Sequence, residues 1–470
     1  MAATVLAIDQ GTSGTKAIVV AGDEVIASCE VPIRPDYRAG GVVEQDPMQL
    51  LDSVRQAGQA AVDGAGRRID VVTLANQGES VLAWDPDGGD PLTPIVVWQD
   101  RRADQLCQEL GGQAQLVAER TGLVLDPYFS APKQAWIRGN LTRKGVVTTT
   151  DAWLLHELTG EFVTDVSTAS RSLVLDLDSC TWDPQLLQIF GLEEERLPTI
   201  VACDAVIGET SAFGGSIPVG GLIVDQQAAL LAERCLDPGE VKCTFGTGAF
   251  LLANIGSSAR RSSAGLSASV AWKVRDAVVY CLDGQVYAAA SAVHWLAELG
   301  FIDDAASLDA VASKDSGGVM AVPALAGLAA PWWRPDARAS FHGMTLATRP
   351  GQLVRATLEG IAAQVARICE VLTADLGAPL TYLRVDGGLT RSSVLMQAVA
   401  DLAQLPVEVY PTPNATALGA VALARMATDP ALELADSIVP WAADRSFEPQ
   451  WPADRAADFL QRWSQAAERS

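Results

Sequence analysis

One short grammar occurs twice in this chain of 470 residues: an apolar β-rich run, a tight turn of glycine and hydroxyl residues, then a second β-rich run. The first copy is Thr4 to Asp9, Gln10-Gly11-Thr12-Ser13-Gly14, and Thr15 to Ala21, with a third run, Glu24 to Ile33, after Gly22-Asp23. Runs this short and close predict an antiparallel meander. The second copy is Glu240 to Thr244, Phe245-Gly246-Thr247-Gly248, and Ala249 to Asn254; beyond it, Val278 to Leu282 and Gln285 to Ala289 are expected to flank a hairpin at Asp283-Gly284. Helical periodicity and a buried strand follow each meander. In the first half Asp46-Pro47 opens a helix through Met48, Leu51, Val54 and Val62, ahead of Val71 to Leu74. In the second, Val354, Leu358, Ile361, Val365, Ile368 and Leu372 step by fours and threes toward Gly377, ahead of Leu383 to Val385 and Asp386-Gly387-Gly388. The alternation predicts an α/β fold. Its duplication predicts two domains, residues 1–235 and 236–470, flanking a cleft and divided where Asp237-Pro238-Gly239 should break the helix after Asp225.

Charge narrows what such a cleft can hold. The formal net charge of -23 repels nucleic acid and anionic membrane surfaces over long range, so neither is an expected partner. A single polyphosphate is still admissible, because backbone amides and a metal ion cradle phosphates locally. The eight cysteines include no CxxC pair and are expected to be reduced, buried hydrophobes of a cytoplasmic protein. Asp9 lies in the first apolar stretch and no basic segment precedes it, so no signal peptide is expected. The longest apolar run, Ala321 to Trp333, contains Pro323 and Pro331 and is too short for a membrane span. His156, His294 and His342 lie far apart, and neither HExxH nor GxSxG occurs, which leaves zinc and serine hydrolase chemistry unsupported.

The first turn, Asp9 to Lys16, gathers an acid, glycines, hydroxyls and a cation between two strands. Glycines let amides approach phosphates, hydroxyls donate, and Asp9 is suited to hold Mg²⁺ through water. An ordinary hairpin is the alternative reading. Gly246-Thr247-Gly248 and Asp386-Gly387-Gly388 are similar turns after apolar strands. Three of them in corresponding places point to a nucleotide lying across the cleft. Leu222 to Leu230 puts Asp225 where a strand ends and a helix begins, either as a simple N-cap or as a base for a hydroxyl proton during phosphoryl transfer. Asn76-Gln77-Gly78-Glu79 is a polar cluster at another strand's carboxyl end, where open sheets bind ligands.

Together these motifs resemble the FGGY carbohydrate kinases, and within that family the glycerol kinases, from about Val5 to about Met426. Asp126-Pro127-Tyr128-Phe129-Ser130 with Lys133 and Trp136 is similar to the family's first signature, and Ala339 to Glu359 to its second. The resemblance implies two ribonuclease-H-like domains, as in actin and hexokinase, with ATP and Mg²⁺ as cofactors and a small polyol or sugar as partner. It implies that Asp225 is the catalytic base and that Glu79, Gly78, Trp98, Tyr128, Gln226 and Phe250 line the substrate site. For the nucleotide it implies Thr12, Ser13, Gly14, Lys16, Thr247, Ala290, His294, Gly388 and Ser392, with Asp9 at the metal. Glycerol kinases carry an arginine at the position of Gly78. Its loss is expected to open space and point to a substrate longer than glycerol, unless Arg101 or Arg102 replaces the missing donor. A xylulokinase-type enzyme acting on a larger ketose or pentitol is therefore an alternative, as is a non-catalytic sugar or nucleotide sensor on the same fold. A homo-oligomer is compatible with all three.

Overall fold

The computed structural model describes residues 3–470. Two mixed sheets carry the architecture, each built from one half of the chain. The first runs, edge to edge, Val206–Thr210, Ile217–Val224, Val71–Asn76, Thr4–Gln10, Gly14–Ala21, Glu24–Pro32. Its three amino-terminal strands form the antiparallel meander, and Val71–Asn76 lies parallel to both Thr4–Gln10 and Ile217–Val224. The second runs Ser267–Val274, Ala277–Val286, Ala249–Gly256, Val241–Phe245, Leu383–Asp386, Val407–Val409, Arg445–Phe447. Its central parallel trio, Val241–Phe245, Leu383–Asp386 and Val407–Val409, repeats the arrangement of the first sheet. The duplicated grammar is thus a duplicated sheet.

Two details differ from the sequence reading. No hairpin forms at Asp283-Gly284, because Ala277–Val286 is one continuous strand whose partners are Ala249–Gly256 and Ser267–Val274. Gly284 serves close packing rather than a turn: a Cβ there would come within 2.7 Å of Ile368 Cγ2 on the long helix Pro350–Leu376. The helix after Asp225 ends at Ala232, before Asp237-Pro238-Gly239, and the chain turns at Arg234, whose φ is 57°. An Arg in that left-handed region needs no glycine nearby to end a helix.

The expected cap, Asp46, accepts from the Met48 amide at 2.8 Å, and Pro47–Ala65 buries Leu50, Leu51, Val54 and Ala57 against the first sheet. The opposite face of that sheet is covered from the second half: Ala415–Thr428 packs Ala417, Leu418, Val421 and Ala424 against Val5, Ala7, Val71 and Ala229. At Gly419 this helix meets Asp225–Ala232 so closely that a Cβ would collide with the Ala228 carbonyl. The two short helices therefore lie between the sheets, and the strand ends that carry the glycine turns face one cleft. Among the described residues no helix is long and apolar enough to cross a membrane.

Candidate active site

A cavity of about 240 Å³ opens in this cleft, and its wall is drawn from both sheets. Thr12 and Ser13 come from the first turn, Gln77, Gly78 and Glu79 from the end of Val71–Asn76, and Asp225 and Gln226 from the end of Ile217–Val224. Thr244, Gly246, Thr247 and Phe250 come from the second meander. Trp98 and Tyr128 complete the apolar side, with Trp98 edge-on to Tyr128 at 5.5 Å and to Phe250 at 5.9 Å. Rings in this arrangement fit the C–H surface of a polyol while polar groups opposite take its hydroxyls.

Asp225 is the first residue of its helix and does not cap it. Val224 is the N-cap residue, and its own amide donates to the Ser167 hydroxyl at 3.0 Å. The Asp225 carboxylate accepts from the adjacent Gln226 backbone amide at 2.6 Å, has the Gln226 side chain beside it, and otherwise faces the cavity. Burial raises its pKa, while the Lys242 ammonium and the Gln226 hydrogen bonds pull it down. Asp9, half-buried on the strand Thr4–Gln10, which Val71–Asn76 separates from Ile217–Val224, does not line the cavity; it is pushed up to about 7 by burial and then by Asp225, against the opposing charge of Lys16. Two acids sharing a desolvated cleft are poised to take up positive charge.

Glu79 is held in an uncommon backbone state, φ 62°, and its Oε1 accepts from Arg171 Nε at 2.5 Å. Arg171 also donates to Asp283 Oδ2 at 2.7 Å and lies over the Tyr128 and Phe129 rings at 5.7 and 5.4 Å. Tyr128 is presented by a turn that Lys133 fastens, its ammonium donating to the carbonyls of Pro127, Tyr128 and Phe129 at 2.8, 2.6 and 2.6 Å. Neither Arg101 nor Arg102 reaches the site: the first pairs with Asp104 and Asp126, the second with Asp100 and Glu44. The guanidinium that serves Glu79 comes instead from Arg171, more remote in sequence.

At Gly78 the backbone is crowded on one side, since a Cβ there would lie 2.9 Å from Val224 Cγ2, while the residue itself lines the cavity. Tyr37 and Gln99 also line the cavity at an exposed position and are joined by a 3.0 Å hydrogen bond from the Tyr37 hydroxyl.

The nucleotide residues named from sequence fall into separate groups. Thr12, Ser13 and Thr247 line the main cavity, whereas Gly388 and Ser392 line a second one of about 260 Å³ beside Asp309 and Arg391. The Thr12 hydroxyl is committed, donating to Gln77 Oε1 at 3.1 Å and accepting from Trp98 Nε1 at 2.8 Å. Ser392 likewise caps its own helix at the Leu395 amide and donates to Asp309. Gly14 starts the second strand, close under the Val31 carbonyl, and Lys16 points toward Glu30 and the Pro413 carbonyl rather than lining either cavity. Ala290 opens the helix Ala290–Glu298, its amide donating to the Gly246 carbonyl at 3.1 Å, and His294 is exposed one turn on. Arg171, Lys133 and Lys242 were not singled out for the site itself. The signal that finds them is burial of a cation, which requires partners.

The fold and sequence match known proteins over nearly the whole chain. Sequence models of the FGGY family of carbohydrate kinases match here, the N-terminal domain over residues 4–232 and the C-terminal domain over 241–428. A glycerol kinase of Bordetella parapertussis is 39% identical over 491 aligned positions, covering 99% of this chain and 97% of the relative. The crystal structure of Plasmodium falciparum glycerol kinase with ADP superposes with a TM-score of 0.91 at 32% identity, covering 99% of this chain and 98% of that one. A ligand-bound xylulose kinase from Lactobacillus acidophilus shares the fold, with a TM-score of 0.89 at 21% identity over 99% of this chain and 98% of that one. On its motifs, its duplicated sheets and these matches, the chain belongs to the FGGY family of carbohydrate kinases.

Proposed function

We propose that this protein transfers the γ-phosphoryl group of ATP to a primary hydroxyl of a small polyol, with glycerol the substrate favoured. The observation that carries the reading is Asp225: a half-buried carboxylate facing the cavity, set between an aromatic wall and the glycine turns of both meanders. The names of the relatives, glycerol kinases, agree with it. Those relatives, rather than the size of the cavity, favour a three-carbon substrate over a pentitol or ketose.

The residues present fit a magnesium nucleotide. Gly246 and Gly388 have no neighbour closer than 3.9 Å to an added Cβ, so their backbone stays open to approach, and Asp386 keeps one carboxylate oxygen buried without a partner. Among the described residues no three acidic, histidine or cysteine side chains form a preformed metal cage. Magnesium needs none, since it is held by one or two carboxylates, water and phosphate oxygens. Asp9 is the residue we assign to it. When bound, Mg·ATP supplies the phosphoryl group and neutralises its charge. The chain's own part is positioning. Asp225 accepts the hydroxyl proton, Glu79 and Gln226 fix the remaining hydroxyls, and the amides around Gly11 and Thr247 stabilise charge on the transferred group.

A coupled assay of phosphate transfer from ATP to glycerol, erythritol, xylitol, ribitol and D-xylulose tests this reading. Glycerol is expected to give the highest kcat/KM. Turnover confined to five-carbon substrates would replace it with the xylulokinase-type alternative, and no turnover with any of them would reject the kinase assignment.

A further inference from the structure

Lys242 lies on the strand Val241–Phe245 and is fully buried. Its ammonium donates to Oε1 of Gln226 at 2.6 Å and to the Thr244 hydroxyl at 2.7 Å. Both partners line the main cavity, whereas Lys242 stands behind them. An ammonium has three donors and no acceptor, so of the two ends of the Gln226 amide only the oxygen can face it. A primary amide is planar, with its NH₂ on the side away from the oxygen, which turns the NH₂ from the lysine and toward the Asp225 carboxylate and the cavity that both residues line.

We propose that Lys242 is a positioning residue that locks the Gln226 amide with its NH₂ presented to the substrate, so that this wall of the site only donates. Glu79 does the opposite. Its Oε1 is held by Arg171, and a carboxylate only accepts, so the wall it forms takes hydroxyl protons. A substrate therefore meets donors at Gln226 and acceptors at Glu79. Hydroxyls satisfy both, a carbonyl oxygen satisfies the Gln226 side alone, and a deoxy carbon leaves one side unpaired, which such sites reject strongly. The lock also spans the cleft, since Lys242 belongs to the second sheet and Gln226 to the helix that follows the first. The inference rests on Gln226 touching the substrate, as proposed above.

The test is a double-mutant cycle in the full-length protein, using ATP with whichever of glycerol, erythritol, xylitol and D-xylulose has the highest kcat/KM. Gln226→Ala is expected to raise KM for that substrate by about 3- to 10-fold, the scale of one hydrogen bond. Lys242→Met is expected to raise it by a similar factor, leave KM for ATP within about two-fold, and add less than about two-fold when placed on Gln226→Ala. Effects that multiply independently, or a Lys242→Met that alters ATP KM and kcat while sparing substrate KM, would overturn the inference and leave the kinase reading intact. An unaffected Gln226→Ala would overturn that residue's substrate role and the inference with it. Should Lys242→Met fail to fold, Thr244→Val, which loosens the ammonium but keeps its charge, carries the same cycle. It should raise substrate KM by about 2- to 5-fold in the wild-type background and add nothing on Gln226→Ala, and independent effects would again refute the lock.

Discussion

The identity of single side chains decides the chemistry at Asp225. As the proposed base it must be ionised, and burial raises its pKa against the pull of Lys242. The sign follows: protonation removes the base, so kcat/KM should fall as pH drops, with the acid limb above the range of an ordinary aspartate near 3.8. Asp225→Asn should lower kcat by at least about 100-fold, flatten that limb and leave ADP binding near normal. Turnover within a few-fold of wild type would remove the base assignment. Asp9, given to Mg²⁺, separates from it by a different readout. Asp9→Asn should raise the Mg²⁺ concentration needed for half-maximal turnover while polyol binding, followed calorimetrically without nucleotide, persists; an unchanged magnesium titration would leave the turn a plain hairpin.

Between elements, the ends of two adjacent parallel strands share one space at Gly78 and Val224. With Val224 Cγ2 at 2.9 Å from where a Cβ would stand, Gly78→Arg should cripple the enzyme by displacing the residue next to Asp225. Val224→Gly makes room, so the double variant should recover much of the kcat/KM that Gly78→Arg loses. Additive losses would show that the strand ends do not compete for that space. The same lesson holds for the strand Ala277–Val286, where Asp283-Gly284 reads locally as a turn. Arg171 takes the aspartate and Ile368 takes the space over the glycine, so the strand continues.

Across the whole molecule, the halves are joined by buried charge and close helix contact. Arg171 reaches Glu79 in the first half and Asp283 in the second, all three side chains being 5% exposed. Arg171→Met would leave two carboxylates buried without their cation, a loss of about 3–5 kcal/mol on the scale of broken buried pairs. Urea unfolding should show it as a lower midpoint together with a higher polyol KM, since Glu79 loses its anchor; a midpoint unchanged within error would contradict the pairing. Gly419→Val tests the other junction. Its side chain would strike the Ala228 backbone, and overpacking of this kind costs about 1–3 kcal/mol. The helix carrying Gly419 belongs to the second half yet covers the first sheet, so unfolding of the two halves should be coupled.

What the sequence determined by itself was local and periodic. The meanders, the capped helix at Asp46-Pro47, the long helix ending at Gly377 and the turns at Gly11, Gly246 and Gly387 are set by short-range patterning of apolar, glycine and capping residues. Asp225, Gln226 and Glu79 were legible as candidates because each lies within three residues of a strand's carboxyl end, and strand ends of such sheets gather at one edge. Tertiary structure alone decided which groups meet there. That Arg171 rather than Arg101 or Arg102 serves Glu79, that Val224 crowds the Cβ position of Gly78, and that Lys242 holds Gln226 depend on contacts between distant segments. Spacing along the chain carries no record of them. A buried cation must find a partner and a glycine must find a neighbour, but which partner and which neighbour is settled only when both sheets close on the cleft.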